Sequence, residues 1–187
     1  MGHKICVVSY RDMKHPEAGG AEVIIEEVFT RLANQGHEVT LLTGAFEGGS
    51  QRDRIGPLEI HRTGNQYTFN FAAPRYFKKH LAARGYDLVA EDINKIPFFM
   101  PRHTQAPVLA IVPHLFGTTV FQQASLPIAS YVYLYERFIP SVYGHCMFSV
   151  LSDTTKRDLM ERGIPEENLR VIYGGMDHGL YAPGGPV

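Results

Sequence analysis

The run His15-Pro16-Glu17-Ala18-Gly19-Gly20-Ala21-Glu22 carries the densest chemical signal in the chain. Two adjacent glycines leave the backbone bare. A helix that begins there presents free N–H groups and the positive end of its dipole. Such a corner can hold a phosphate or a sugar ring, and a plain tight turn would use the same two glycines. The spacing is not G-x-G-x-x-G, and the following apolar run ends Leu41-Leu42-Thr43-Gly44 with no acid for a ribose hydroxyl. Both features argue against a nicotinamide dehydrogenase, and the missing G-x-x-x-x-G-K-[ST] loop argues against a P-loop nucleotidase.

Further candidates follow. In Glu91-Asp92-Ile93-Asn94, Asp92 and Asn94 can hydrogen-bond sugar hydroxyls, and Asp92 can equally cap a short helix. His114 follows an apolar run, where its imidazole can donate to a hydroxyl or move a proton. Ser152, Thr154 and Thr155 can reach a ligand, while Ser152 also suits a helix N-cap. Glu136-Arg137 suits a buried ion pair that supports a site. The remaining histidines lack ligand spacing such as H-E-x-x-H, so neither a bound metal nor a tightly held cofactor is expected.

These residues must be positioned by alternating strands and helices. Residues 4–10, 37–43, 58–63, 87–91, 108–112, 147–151 and 169–173 are short apolar runs that read as strands. Residues 21–35 carry Ile24, Ile25, Val28, Phe29 and Leu32 at helical spacing, with Glu22 in the first turn, Glu27 and Arg31 as an i,i+4 pair, and Gly36 as the stop. Residues 74–84 read as a helix with Pro74 in its first turn, after an extended stretch at 67–71. Residues 129–143 form a helix interrupted near Pro140, and a helix capped by Ser152 or Asp153 runs to Arg162 before Gly163. Residues 46–56 read as an exposed loop. The pattern predicts an α/β, Rossmann-like three-layer domain with a mainly parallel sheet over residues 1–180, and a linker or tail over 181–187. In such sheets ligands bind beyond the carboxyl ends of the strands, where every candidate above lies.

Taken in order, these motifs resemble the N-terminal, acceptor-side domain of retaining GT-B glycosyltransferases of family 4. The Gly-Gly-Ala-Glu loop and the Gly36-His37-Glu38-Val39-Thr40 strand resemble the family's start. Glu91–Pro97, Pro113-His114, Glu136-Arg137, Ser152–Thr155 and the segment from Val171 to Asp177 resemble later family segments. Two positions depart from the pattern. Pro113 stands where a second histidine is usual, and Tyr173-Gly174 replaces the usual Asn before the last Gly.

The resemblance implies transfer of a sugar from a UDP- or GDP-sugar co-substrate to the hydroxyl of a glycan, lipid or small-molecule acceptor. His114 would meet the transferred sugar. Gly19, Gly20, Glu22, Asp92, Asn94, Ser152 and Thr154 would line the substrate side. A C-terminal donor-binding domain with a Glu-x7-Glu segment would begin where this chain stops, so the isolated chain is expected to be inactive or weakly active. The alternative is a non-catalytic carbohydrate- or nucleotide-binding module.

Charge and composition narrow the partners. A net charge of -1 argues against nucleic acid or another extended polyanion as the partner. Cys6 and Cys146 sit in apolar runs, and with no visible signal peptide they suit a reducing, cytoplasmic compartment. The stretch Arg75-Tyr76-Phe77-Lys78-Lys79-His80 is basic and aromatic. It suits either peripheral contact with an anionic membrane or an ordinary solvated face with aromatic anchors.

Overall fold

The structure, a computed structural model, describes residues 2–94, 96–123 and 125–175. Lys95, Met176, Asp177 and the expected tail at 181–187 lie outside the described residues.

Eight strands form one sheet in the order β3-β4-β2-β1-β5-β6-β7-β8. They are β1 (Lys4–Val8), β2 (Glu38–Gly44), β3 (Arg52–Ile55), β4 (Leu58–Thr63), β5 (Leu88–Asp92), β6 (Val108–Val112), β7 (Met147–Val150) and β8 (Leu169–Val171). All neighbours pair in parallel except the β3–β4 hairpin. The order runs outward from β1 in one direction through β2 and β4, then outward from β5 in the other. Between β1 and β5 the winding therefore reverses, which opens a crevice at their carboxyl ends.

Helix α1 (Gly20–Asn34) covers one face of the sheet. Its Ile25 and Phe29 pack on Ile5, Val7, Val39, Leu41 and Ile60. The alternate residues Cys6, Val8 and Leu42 face the other side, under Phe69, Ala73 and Phe77 from α2 (Phe69–Tyr76) and its continuation, and under Ile139 and Val142 of α5 (Ile139–Tyr143). This alternation is the period of two of a strand buried on both faces. The remaining helices are α3 (Val120–Gln123), α4 (Leu126–Glu136) and α6 (Asp153–Glu161).

Two expectations are corrected. Residues 46–56 are not all loop, because Arg52–Ile55 forms β3. Three of its four residues are charged, which hid it from an apolar criterion and suits an exposed edge strand. Residues 67–71 are not extended, because α2 starts at Phe69 and holds Pro74 in its interior. Phe69, Ala73 and Phe77 recur every four residues and are all buried, so packing outweighs the proline penalty. A π-helical turn at Phe77–Leu81 and a 3-10 turn at Ala82–Arg84 follow, and Gly85 at φ 68° ends the segment. The expected helix over 129–143 is divided into α4 and α5, with Pro140 in the first turn of the second.

Glu91 organises the loop after β5. It is fully buried and accepts the N–H groups of Phe98 (2.6 Å) and Met100 (3.1 Å) and the hydroxyl of Tyr143 (2.6 Å). The Tyr143 oxygen in turn accepts the N–H of Phe99 at 2.8 Å. Three consecutive amides are thus held by one carboxyl and one phenol. Phe99 itself sits at φ 58°, in the left-handed region that bulky residues avoid. Tyr143→Phe leaves the Phe99 amide without its acceptor and should lower unfolding stability by about 1–3 kcal/mol in urea titration. An unchanged midpoint would show that the loop does not depend on this phenol.

Candidate functional site

The loop between β1 and α1 is fixed from the far side of the sheet. Arg62 of β4 is fully buried and grips Asp12 twice, at 2.7 and 2.9 Å, while reaching Asp53 of β3 at 3.1 Å. Asp12 also accepts the N–H of Lys14 at 3.0 Å. Arg11 donates to the Glu17 carbonyl at 2.8 Å and pairs with its carboxylate. These contacts set the approach to Gly19 and Gly20.

At the start of α1 the Glu22 carboxylate reaches back to accept the Gly19 N–H at 2.7 Å, one half of a capping box. Neither glycine has the positive φ that would require glycine. A β-carbon on Gly20 would meet nothing within 4 Å, and one on Gly19 would meet only the Glu22 carboxylate at 3.7 Å. The space in front of Gly20 is an open cleft of about 390 Å³ lined by Tyr10, Arg11, Glu22, Asn94, Pro113 and His114, among others. A tight turn therefore does not account for the glycine pair.

The structure brings Gly19, Gly20, Glu22, Asn94 and His114 together on this cleft. His114 is exposed, with its ring 4.7 Å from that of Phe116. Asp92 lies beneath. It is 1% exposed, and its Oδ2 accepts the Ser9 hydroxyl at 2.8 Å, so it caps no helix. Its Oδ1 is buried with no protein partner. Ser152 and Thr154 do not line the cleft. The Ser152 oxygen accepts the Thr155 N–H at 3.1 Å as the α6 N-cap, and Thr154 is exposed. Thr155, buried, donates to the Pro113 carbonyl at 3.2 Å and so braces the residue before His114.

The expected Glu136–Arg137 pair does not form. Neighbouring residues on a helix point away from each other, and Arg137 is exposed beside the Tyr133 ring. The buried Glu136 accepts the N–H groups of Phe116 (2.8 Å) and Gly117 (2.9 Å), and its ionic partner is Arg162 at 3.3 Å. Glu136 thereby fixes the loop that follows His114. The sequence order gives no sign of Arg162, which comes from another helix, nor of Ser9 and Arg62, whose roles depend on pairing between distant strands.

Among the described residues no group of three or more His, Cys, Asp or Glu is placed to hold a metal ion. Cys6 and Cys146 are both buried free thiols. No helix among the described residues is long and apolar enough to cross a membrane.

The reversed strand order, the crevice at β1 and β5, and the glycine-lined helix start define an α/β Rossmann-like domain, one half of a GT-B fold. A family model, Glycosyltransferase Family 4, matches residues 18–180, and the chain belongs to that family. Solved structures agree in fold. The chain is similar to Anabaena Alr3699/HepE, solved in complex with UDP and glucose, at 16% identity and a TM-score of 0.60, covering 96% of this chain and 46% of that one. It is similar to a glycosyltransferase from Rickettsia africae ESF-5 at 14% identity and a TM-score of 0.66, covering 100% and 46%. It is also similar to the lipopolysaccharide outer core galactosyltransferase WaaB at 13% identity and a TM-score of 0.57, covering 92% and 46%. This chain therefore spans about half the length of those proteins. No curated protein sequence matches it.

Burial pushes the Asp92 carboxyl up to about 7; the Ser9 hydrogen bond opposes this, and the Glu22 and Glu91 charges add to it. Burial likewise pushes Glu91 up to about 7 against its Tyr143 and backbone hydrogen bonds. A raised carboxyl keeps its proton in the folded state while the unfolded chain loses it. Its contribution is thus fully present below the ordinary carboxyl pKa and is lost as pH rises to about 7. Asp92→Asn removes one of the two carboxyls. Relative to wild type, the variant should gain stability between about pH 4 and 7, on the order of a few kcal/mol, in urea titrations across that range. Parallel pH profiles would show that Asp92 ionises in the fold as it does in water.

Proposed function

We propose that this chain is the acceptor-side domain of a glycosyltransferase that moves a sugar from a UDP- or GDP-sugar to an acceptor hydroxyl with retention. The observation that carries this reading is the bare backbone at Gly20, which faces an open cleft although its conformation does not require glycine. The chemistry of the walls supports the acceptor side. Glu22 already occupies the helix N-terminus, and Glu17 engages the nearby Arg11. Carboxylates and an Asn amide suit neutral hydroxyls better than they suit a diphosphate.

In this reading Gly19 and Gly20 let the sugar approach the backbone, and Glu22 and Asn94 accept and donate hydrogen bonds to hydroxyls. His114 donates to the transferred sugar or moves a proton. Asp92, Ser152 and Thr154 act at the margin, Asp92 from beneath and Ser152 by holding the start of α6. Residues 1–180 form the domain, 181–187 lead out of it, and a C-terminal donor-binding domain supplies the diphosphate grip. The relatives' names support a nucleotide-sugar co-substrate, since the Anabaena protein was solved with UDP-glucose as well as with UDP and glucose. A cytoplasmic site of action rests on the two buried free thiols. Peripheral membrane contact through the Arg75–His80 stretch belongs to the same reading, with the acceptor a glycan, lipid or small molecule.

Two measurements test it. The purified chain should show little or no transfer from UDP- or GDP-sugars alone and gain activity with a donor-binding half, because half a cleft cannot stabilise the leaving diphosphate. Robust turnover by the chain alone would refute this. In the active pair, His114→Ala should lower turnover by about 10²–10⁴-fold. Gly20→Val should retain the wild-type melting profile, since space exists for the side chain, while abolishing acceptor saturation. Normal acceptor kinetics in Gly20→Val would place the acceptor elsewhere.

A further inference from the structure

The carboxylates of this chain are segregated. No Asp or Glu occurs from Ile60 through Tyr86, nor from Ile93 through Tyr135, although the whole chain is close to neutral. These two stretches come together on the sheet face opposite α1. Asn70 of α2 donates to the Tyr131 hydroxyl of α4 at 2.6 Å. Tyr131 packs on Tyr135 at 4.3 Å between ring centres, Tyr135 on Phe99 at 5.7 Å, and the Arg102 guanidinium lies 5.9 Å above Phe99. Lys78 and Arg102 also meet at His103, whose pKa is lowered by burial first and then by those two cations. The exposed cations Arg75, Lys78, Lys79 and Arg102 thus belong to one acid-free surface.

The same surface is apolar where it should not be. Helix α4 carries no charge before Glu136 and buries only Ala129, Val132 and Glu136. Its outward residues Leu126 and Leu134 are 72% and 55% exposed, and Ile128 is also exposed. Tyr67, just before α2, is 79% exposed, and Phe71 stands beside it on the helix. A helix apolar around its whole circumference is normally buried. Exposed aliphatic and aromatic side chains among unpaired-in-sign cations are the composition of a surface that lies in a lipid headgroup region.

We propose that the α2–α4 face is a docking surface for an anionic phospholipid bilayer. Leu126, Ile128, Leu134, Tyr67 and Phe71 enter the headgroup–acyl boundary, and Arg75, Lys78, Lys79 and Arg102 meet the phosphates. A protein partner would also cover apolar residues, but the absence of every carboxylate from both stretches favours a partner with uniform negative charge. This deepens the membrane contact named above and rests on the surface alone. Because vesicle binding needs no sugar nucleotide, it holds or fails independently of the transfer reading.

The test is co-sedimentation of the purified chain with vesicles of phosphatidylcholine, or of equimolar phosphatidylcholine and phosphatidylglycerol, at low and high salt. Binding should be confined to the anionic vesicles and weaken as salt rises. Lys78→Gln with Lys79→Gln should lower partitioning by roughly 25-fold, at about fivefold for each cation near the surface. Leu126→Asn with Leu134→Asn should lower it by at least about tenfold. All four side chains point outward, so circular dichroism should stay unchanged. Sedimentation with neither vesicle, equal binding to both, or binding unaffected by either double variant would overturn the proposal. So would self-association abolished by the leucine variant in the absence of vesicle binding, which would assign the face to a second copy of the chain.

Discussion

The reversal of winding between β1 and β5 is the constraint on which the rest of this molecule depends. Crossovers on one side of that line build outward through β2 and β4, and those on the other through β6, β7 and β8. No connection has to cross above the line, so the carboxyl ends of β1 and β5 stand open. Ser9 and Asp92 close the bottom of the gap with a buried hydrogen bond across 83 residues of sequence. The α1 start, Asn94 and His114 then form its rim. The site is a product of topology first and of side chains second.

Buried acids convert that opening into defined walls, each through backbone amides. Glu22 takes the amide of Gly19, Glu91 those of Phe98 and Met100, and Glu136 those of Phe116 and Gly117. Asp12 does similar work through Arg62, which ties the loop after β1 to the far hairpin. A carboxylate that accepts two amides fixes a loop more tightly than apolar packing could, because an unsatisfied buried group is expensive. The irregular loops around the cleft are thus as constrained as the strands that carry them.

Much of this was legible in the sequence because buried parallel strands are short apolar runs and α1 has a clear apolar stripe. The glycine pair, Asn94 and His114 could be placed on one cleft because strand ends converge in this class of sheet. What stayed hidden was hidden for physical reasons. β3 is stabilised by pairing and its charges rather than by burial, so Arg52-Asp53-Arg54 resembled a loop. α2 contains Pro74, which masked the spacing of Phe69, Ala73 and Phe77. Arg162 was invisible as the partner of Glu136 because the two meet only through the packing of α6 beside α4. The orphaned Oδ1 of Asp92 has no sequence signature at all, since it is defined by what fails to approach it.

The long-range pairing of β1 with β5 also bears on how the chain reaches this state. On each side of the line, strands pair mostly with near neighbours in sequence, whereas the central junction closes a loop that contains the whole first unit. Contacts of that separation are entropically the most expensive and limit the rate of folding. Because the cleft straddles the junction, no partly folded chain with one unit formed can hold a ligand there. Ligand occupancy therefore reports completion of the entire sheet, and a ligand that binds stabilises both units at once by mass action.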